Sequence, residues 1–130
     1  VLSWFAATNT TVEVNTFINC QREISLGLID RDGTTSPSAP HDNEGGIIRN
    51  NVFIRTPSQP GDVGIMLTNS PGTVVAHNTV VLSGTYPNGI EFRYPGTAGA
   101  VIANNLTDAE HFKPECVEAF SSFFRGEVLS

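Results

Sequence analysis

The chain has 130 residues, 39% of them apolar, and a formal net charge of −6. One Lys, Lys113, and six Arg are spread along it, so the cation cluster that nucleic-acid phosphates require is missing. An acidic chain of this kind suits neutral sugars, or polyanions bridged by a cation. No apolar run approaches the roughly 18 residues that span a bilayer, and no basic stretch leads into an apolar one as in a signal peptide.

In chain order, Val1 to Ala7 read as the interior of an apolar segment, and no Met starts the sequence. The expectation is an N-terminally truncated fragment or processed product. Trp4 and Phe5 are read as core of a preceding coil, or alternatively as a sugar-stacking platform. Val12 to Ile18 opens a repeat, and its counterparts are Ile48 to Ile54, Val75 to Val81 and Ile102 to Asp108. Each has an apolar β-former three residues before an Asn, at Asn15, Asn51, Asn78 and Asn105. A second β-prone stretch follows the Asn in the first three. Val14 stands one place out of register with Ile48, Val75 and Ile102 as an inward residue, so a longer strand or a bulge is expected in the first coil.

Between these blocks fall Glu23-Ile24-Ser25-Leu26, Gly64-Ile65-Met66-Leu67 and Gly89-Ile90-Glu91-Phe92. Their alternation predicts strands with Ile24/Ile65/Ile90 and Leu26/Leu67/Phe92 stacked inward. Three short strands per period, joined by Gly-, Pro- and Asn-rich loops, match one turn of a β-solenoid. The aligned Asn side chains are expected to form a ladder, each donating to one neighbour and accepting from the other, on turns whose left-handed backbone Asn tolerates. The competing architecture is a β-sandwich with Asn88-Gly89 as a hairpin turn. The fold class expected is all-β, a solenoid of about four coils over residues 1–108. The remaining 109–130 form a tail. There Val117, Phe120, Phe123 and Phe124 recur at helical spacing after Pro114, which predicts a helix capping the open end; a tail with no native-like structure is the alternative.

The strings Asn15-Thr16-Phe17-Ile18-Asn19-Cys20, Gly45-Gly46-Ile47-Ile48-Arg49-Asn50-Asn51 and Tyr86-Pro87-Asn88-Gly89-Ile90-Glu91-Phe92-Arg93 resemble the pectate-lyase-like right-handed parallel β-helix superfamily. Within it they look like bacterial proteins described only by a right-handed β-helix repeat. The resemblance covers roughly residues 9 to 108. It implies right-handed coiling, an extracellular or cell-envelope location, and a polysaccharide lying along the outer face of the Ile-x-Leu sheet. The sequence departs from the superfamily's catalytic patterns. Gly-His-Gly, Asn-Thr-Asp, Arg-Ile-Lys and Arg-x-Pro-x-x-Arg are absent, and Lys113 lies outside the repeats.

Alternation points Glu91 and Arg93 outward, in columns with Ser25 and Met66 and with Gly27 and Thr68. Glu91, Arg93, Ser25 and Thr68 are therefore candidate sugar ligands, Arg93 being able to fork onto a carboxylate; a solvated face with a Glu–Arg pair is the plain alternative. The long loop from Ile29 to Gly45 adds His41 and Asp42 as candidates. Asp30 and Asp32 resemble half of a calcium loop, without the bidentate Glu that completes one; a solvated acidic loop is the alternative. His77 is read as a turn residue rather than a catalyst. Tyr86 and Tyr94 flank the Glu91 strand, where their rings would stack on sugar. A disulfide between Cys20 and Cys116 has no spacing to support it. The Asn-x-Thr sequons at Asn9 and Asn105 fit chance in so Asn- and Thr-rich a chain. The function expected is an extracellular polysaccharide-binding or polysaccharide-processing segment, as lyase or hydrolase. A non-catalytic structural or adhesive solenoid is the alternative.

Overall fold

The computed structural model describes residues 1–29 and 39–109, and the backbone of 128–129. Leu2–Ser3 (β1), Ala7–Thr8 (β2), Thr11–Glu13 (β3) and Thr16–Ile18 (β4) form the first round of strands. Ile24–Leu26 (β5), Asn43–Glu44 (β6), Ile47–Arg49 (β7) and Val52–Ile54 (β8) form the second. Ile65–Thr68 (β9), Val74–Ala76 (β10) and Thr79–Val81 (β11) make the third, and Ile90–Arg93 (β12), Val101–Ala103 (β13) and Asn105–Thr107 (β14) the fourth. Val128–Leu129 (β15) follows. No helix occurs among the described residues. The expected capping helix falls on residues mostly outside them; the described end of the tail, β15, adds a strand to β14.

Equivalent strands of successive rounds pair side by side. The sheets run β1-β5-β9-β12, β3-β7-β10-β13 and β4-β8-β11-β14-β15, with β2-β6 as a smaller fourth. Every pairing is parallel, which a sandwich joined by Asn-Gly hairpins would not give. Parallel neighbours need a long crossover, and here the rest of each round supplies it. The protein is thus all-β, with parallel strands stacked in sheets, an arrangement consistent with a parallel β-solenoid.

The registers place like on like. Ile24, Ile65 and Ile90 pair in sequence, as do Leu26, Leu67 and Phe92, and all six are in the core. Val12, Ile48, Val75 and Ile102 form the matching column of the second sheet, and Phe17 stacks on Phe53 with ring centroids 5.0 Å apart. Each Leu or Ile so buried contributes roughly 1.5–3 kcal/mol. The bulge expected at Val14 does not occur. Val12 is the inward residue, 5% exposed, while Val14 projects into solvent at 75%. The fourth round also carries a strand after its Asn, β14, which the apolar pattern does not reveal.

Two columns of left-handed residues turn the chain between strands. Val14, Asn50, His77 and Asn104 have φ of 59°, 55°, 56° and 54°. They sit just before the ladder Asn residues, so the left-handed position belongs to the preceding residue and not, as expected, to the ladder Asn itself. The ladder side chains are instead free to bond along the stack. Asn9, Gly45, Gly72 and Gly99, with φ of 53°, 67°, 66° and 68°, form the second column, six places before each ladder Asn.

Candidate ligand-binding site

The ladder fixes the turns that carry the loops. Nδ2 of Asn15 donates to Oδ1 of Asn51 (3.1 Å), Asn51 to Asn78 (3.0 Å) and Asn78 to Asn105 (2.9 Å). The main-chain N–H of Asn15, Asn51 and Asn78 donates to the same oxygens. The remaining amide hydrogens go to carbonyls, among them those of Val12, Ile48 and Val75. Asn105 is fully buried with its amide so engaged, which closes the sequon there to modification, whereas Asn9 is exposed.

Strands β5, β9 and β12 are buried on both sides except at Arg93, whereas β1 at the sheet's edge is partly exposed. Ser25, Met66, Thr68 and Glu91 occupy the outer columns that alternation gives them, yet they are only 3%, 2%, 1% and 1% exposed. The expected solvent-facing row is therefore covered. Met66 is buried but stands apart from the central core cluster, as an outer residue should. Ser25 turns its hydroxyl back to the Gly27 carbonyl at 2.7 Å. Thr68 Oγ1 is buried without a hydrogen-bond partner among the described residues.

Glu91 is enclosed by its own neighbours. Its Oε1 accepts from the Tyr86 hydroxyl (3.1 Å) and Asn88 Nδ2 (2.9 Å), and its Oε2 from Arg93 Nε (3.1 Å) and Nη2 (2.5 Å). The expected Glu91–Arg93 pair exists, then, but all four of its contacts are internal. Burial, and the Glu91 and Asp62 carboxylates beside it, push the Tyr86 hydroxyl up to about 12. Tyr86 is half-buried and packs on the core. Tyr94 is exposed and left-handed, with φ 68°.

Tyr86 also faces Asp62, in the loop before β9. Asp62 pairs with Arg22, in the loop before β5, with Arg22 Nε 3.0 Å from Oδ2. Burial alone would raise the Asp62 carboxyl; hydrogen bonds from Arg22 and the Val63 N–H outweigh it and hold the group below its ordinary 3.8. A row Arg22–Asp62–Tyr86–Glu91–Arg93 thus crosses three rounds of strands. At its Arg22 end lies a cleft of about 330 Å³, lined by Gln21, Arg22 and Asp62.

Behind this row is a buried ion pair. Arg55 Nη2 meets Glu23 Oε1 at 2.8 Å and Oε2 at 2.9 Å, both side chains 0% exposed. Arg55 also donates to the carbonyls of Cys20, Gln21 and Asp62 and to Thr85 Oγ1. A Cβ on Gly61 would lie 2.3 Å from the guanidinium carbon, so only Gly fits there. Glu23 is thereby held wholly out of solvent.

Of the loop candidates, the structure describes His41 and Asp42. Asp42 is fully buried, and its Oδ2 accepts from the N–H groups of Leu28 (2.6 Å) and Ile29 (2.9 Å). His41 Nε2 lies 3.0 Å from Glu44 Oε2. Asp30 and Asp32 lie outside the described residues, among which no three His, Cys, Asp or Glu side chains gather to hold a metal ion. Cys20 is a free thiol, and Cys116 lies outside the described residues. Trp4 and Phe5, in edge-to-face contact at 6.0 Å, are exposed. His77 occupies its turn column, as expected. No described helix is long and apolar enough to cross a membrane.

Gln21, Arg22, Asp62 and Arg55 escape a reading of the sequence. The available signal was positional: Arg22, Asp62 and Tyr86 each lie two to four residues before an Ile-x-Leu/Phe strand.

The chain matches no family model, no curated protein and no solved structure.

Proposed function

We propose that this chain is a segment of an extracellular right-handed parallel β-helix of the pectate-lyase-like kind, and that it binds polysaccharide rather than cleaving it. The stacking of parallel strands at 27-residue steps, with the ladder from Asn51 to Asn105, supports the solenoid. The observation that carries the binding reading is the cleft of about 330 Å³ at Gln21, Arg22 and Asp62. It lies on loops at the rim of a rigid sheet, where solenoids and other scaffolds carry their recognition groups. The absence of cleavage is argued from the carboxylates. A general acid or base must reach the proton it moves, and Glu23, Asp42 and Glu91 are each buried and bonded to the scaffold.

The same engagement of every buried carboxylate among the described residues favours a second reading, a non-catalytic structural or adhesive solenoid. A panel of neutral and acidic polysaccharides separates the two. Binding is measured with calcium and with chelator, and ultraviolet absorbance reports unsaturated products. The proposal expects binding without new absorbance. No binding to any polymer favours the structural solenoid, and rising absorbance would establish a lyase. A calcium requirement confined to neutral polymers would support the calcium expected at Asp30 and Asp32, and one confined to acidic polymers a bridging cation.

A further inference from the structure

We infer that the cleft at Gln21, Arg22 and Asp62 selects uncharged glycans over uronate-containing ones; this rests on the polysaccharide-binding reading above. The charges of its wall are matched, Arg22 with Asp62, and the pairs behind and along the row are matched too, Arg55 with Glu23 and Arg93 with Glu91. Recognition of a sugar carboxylate is strongest with a guanidinium fork whose two parallel N–H groups aim at the ligand. Arg22 aims its fork, Nε and Nη2, at Asp62 instead. Its Nη1 has no partner among the described residues, and neither has the Gln21 carboxamide, although the Gln21 carbonyl is held by Asp62 N–H at 2.7 Å. The free groups facing the cleft are thus one cationic N–H pair already neutralised by Asp62, and one amide that both donates and accepts.

A sugar hydroxyl also donates and accepts, so it satisfies Gln21 in either sense and presents an oxygen to Arg22. A carboxylate offers only acceptors and would lie beside the Asp62 carboxylate. The net charge of −6 adds a longer-range penalty for a polyanion. The cleft volume falls at the lower end of small-molecule sites, which suits a short stretch of a glycan chain rather than a whole domain of a partner.

The full chain is titrated calorimetrically with neutral glycans (galactan, xylan, mannan, β-glucan) and acidic ones (polygalacturonate, alginate). Wild type is expected to bind at least one neutral glycan and to bind the acidic ones at least tenfold more weakly. Gln21→Ala, an exposed change, weakens the neutral complex about tenfold, the worth of roughly one hydrogen bond. Asp62→Asn releases the Arg22 fork and strengthens acidic-glycan binding about tenfold. Glu13→Gln, in the Glu13–Arg49 pair of another sheet, leaves both affinities unchanged. Tighter binding of wild type to an acidic glycan overturns the inference, as does neutral binding indifferent to Gln21→Ala. If neither wild type nor Asp62→Asn binds any glycan, the polysaccharide reading itself falls. Circular dichroism confirms the fold of each variant, and Gln21→Ala keeps the test decisive should Asp62→Asn unfold.

Discussion

Val14 holds a conformation that its side chain resists. A β-branched residue at φ 59° crowds its own backbone, where Asn is tolerated and Gly is free. The other members of its column are Asn50, His77 and Asn104. Because the Val14 side chain is 75% exposed, little burial is lost by replacing it. Val14→Asn is therefore expected to stabilise the protein by about 1 kcal/mol, seen as a thermal midpoint raised by roughly 4 °C. A lowered midpoint would mean that Val14 makes an apolar contact of greater worth. Asn78 is the opposite case, a buried residue with every polar atom engaged. Asn78→Ala orphans one N–H of the Asn51 amide and the Asn51 main-chain N–H, takes one donor from the Ile48 carbonyl and from Asn105 Oδ1, and is expected to cost about 3 kcal/mol in urea unfolding. Asn78→Asp adds a charge facing Asn105 Oδ1 and the Ile48 carbonyl. Its deficit against wild type should shrink near pH 4, where a protonated carboxyl regains a donor.

At the level of the strands and loops, the Glu23–Arg55 pair ties the turn after β8 to the loops before β5 and β9. Burial pushes the Glu23 carboxyl above its ordinary 4.5, and the hydrogen bond and charge of Arg55 offset this only in part. A folded-state value above the unfolded one means that this group's contribution is fully present below 4.5 and is lost as pH rises through the folded value. Glu23→Gln, which imitates the neutral acid, should flatten that slope in a pH series of urea titrations and cost less than loss of the arginine, because Gln still accepts from Arg55 although it leaves that buried cation without its counter-charge. Arg55→Met should cost about 3–5 kcal/mol, because it strands Glu23 and removes donors from the carbonyls of Cys20, Gln21 and Asp62. Equal losses from the two variants would show that the ion pair, and not the carbonyl contacts, holds this corner.

The same corner shows how far the sequence could be read. The strands were legible because Val12, Ile48, Val75 and Ile102 recur three places before an Asn, and because Ile24, Ile65 and Ile90 alternate with their neighbours. The turn column of Asn9, Gly45, Gly72 and Gly99 was not recognised, since its first member lacks the glycine that marks the rest. The burial of Ser25, Met66 and Glu91 was illegible for another reason. Alternation separates two faces of a strand, but it does not say that the second face meets water. Arg55 and Glu23 lie 32 residues apart, a pairing that no local spacing encodes. The candidate cleft therefore lies at the loop residues Gln21, Arg22 and Asp62, and Glu91 and Arg93 do not line it.

For the molecule as a whole, each round of strands touches only the rounds before and after it, so stability spreads along the stack by nearest-neighbour coupling. The inner strands β7, β8, β10 and β11 are paired on both sides, whereas β3 and β4 are each paired on one. Asn15, exposed at the start of the ladder, gives hydrogen bonds to Asn51, but its own Oδ1 receives none among the described residues. Amide hydrogen exchange should accordingly be slowest for Ile48, Phe53, Val75 and Val80 and fastest in β1 to β4, where local opening needs only part of the global free energy. The ladder variants should respect that gradient. Asn15→Ala should accelerate exchange within residues 1–18 while leaving the slowest amides almost untouched. Asn78→Ala should accelerate them all, because the rung it removes joins the two inner rounds to the fourth. Uniform acceleration by Asn15→Ala would mean that the rounds unfold as a single unit, and that the repeat seen in the sequence is not a repeat in energy.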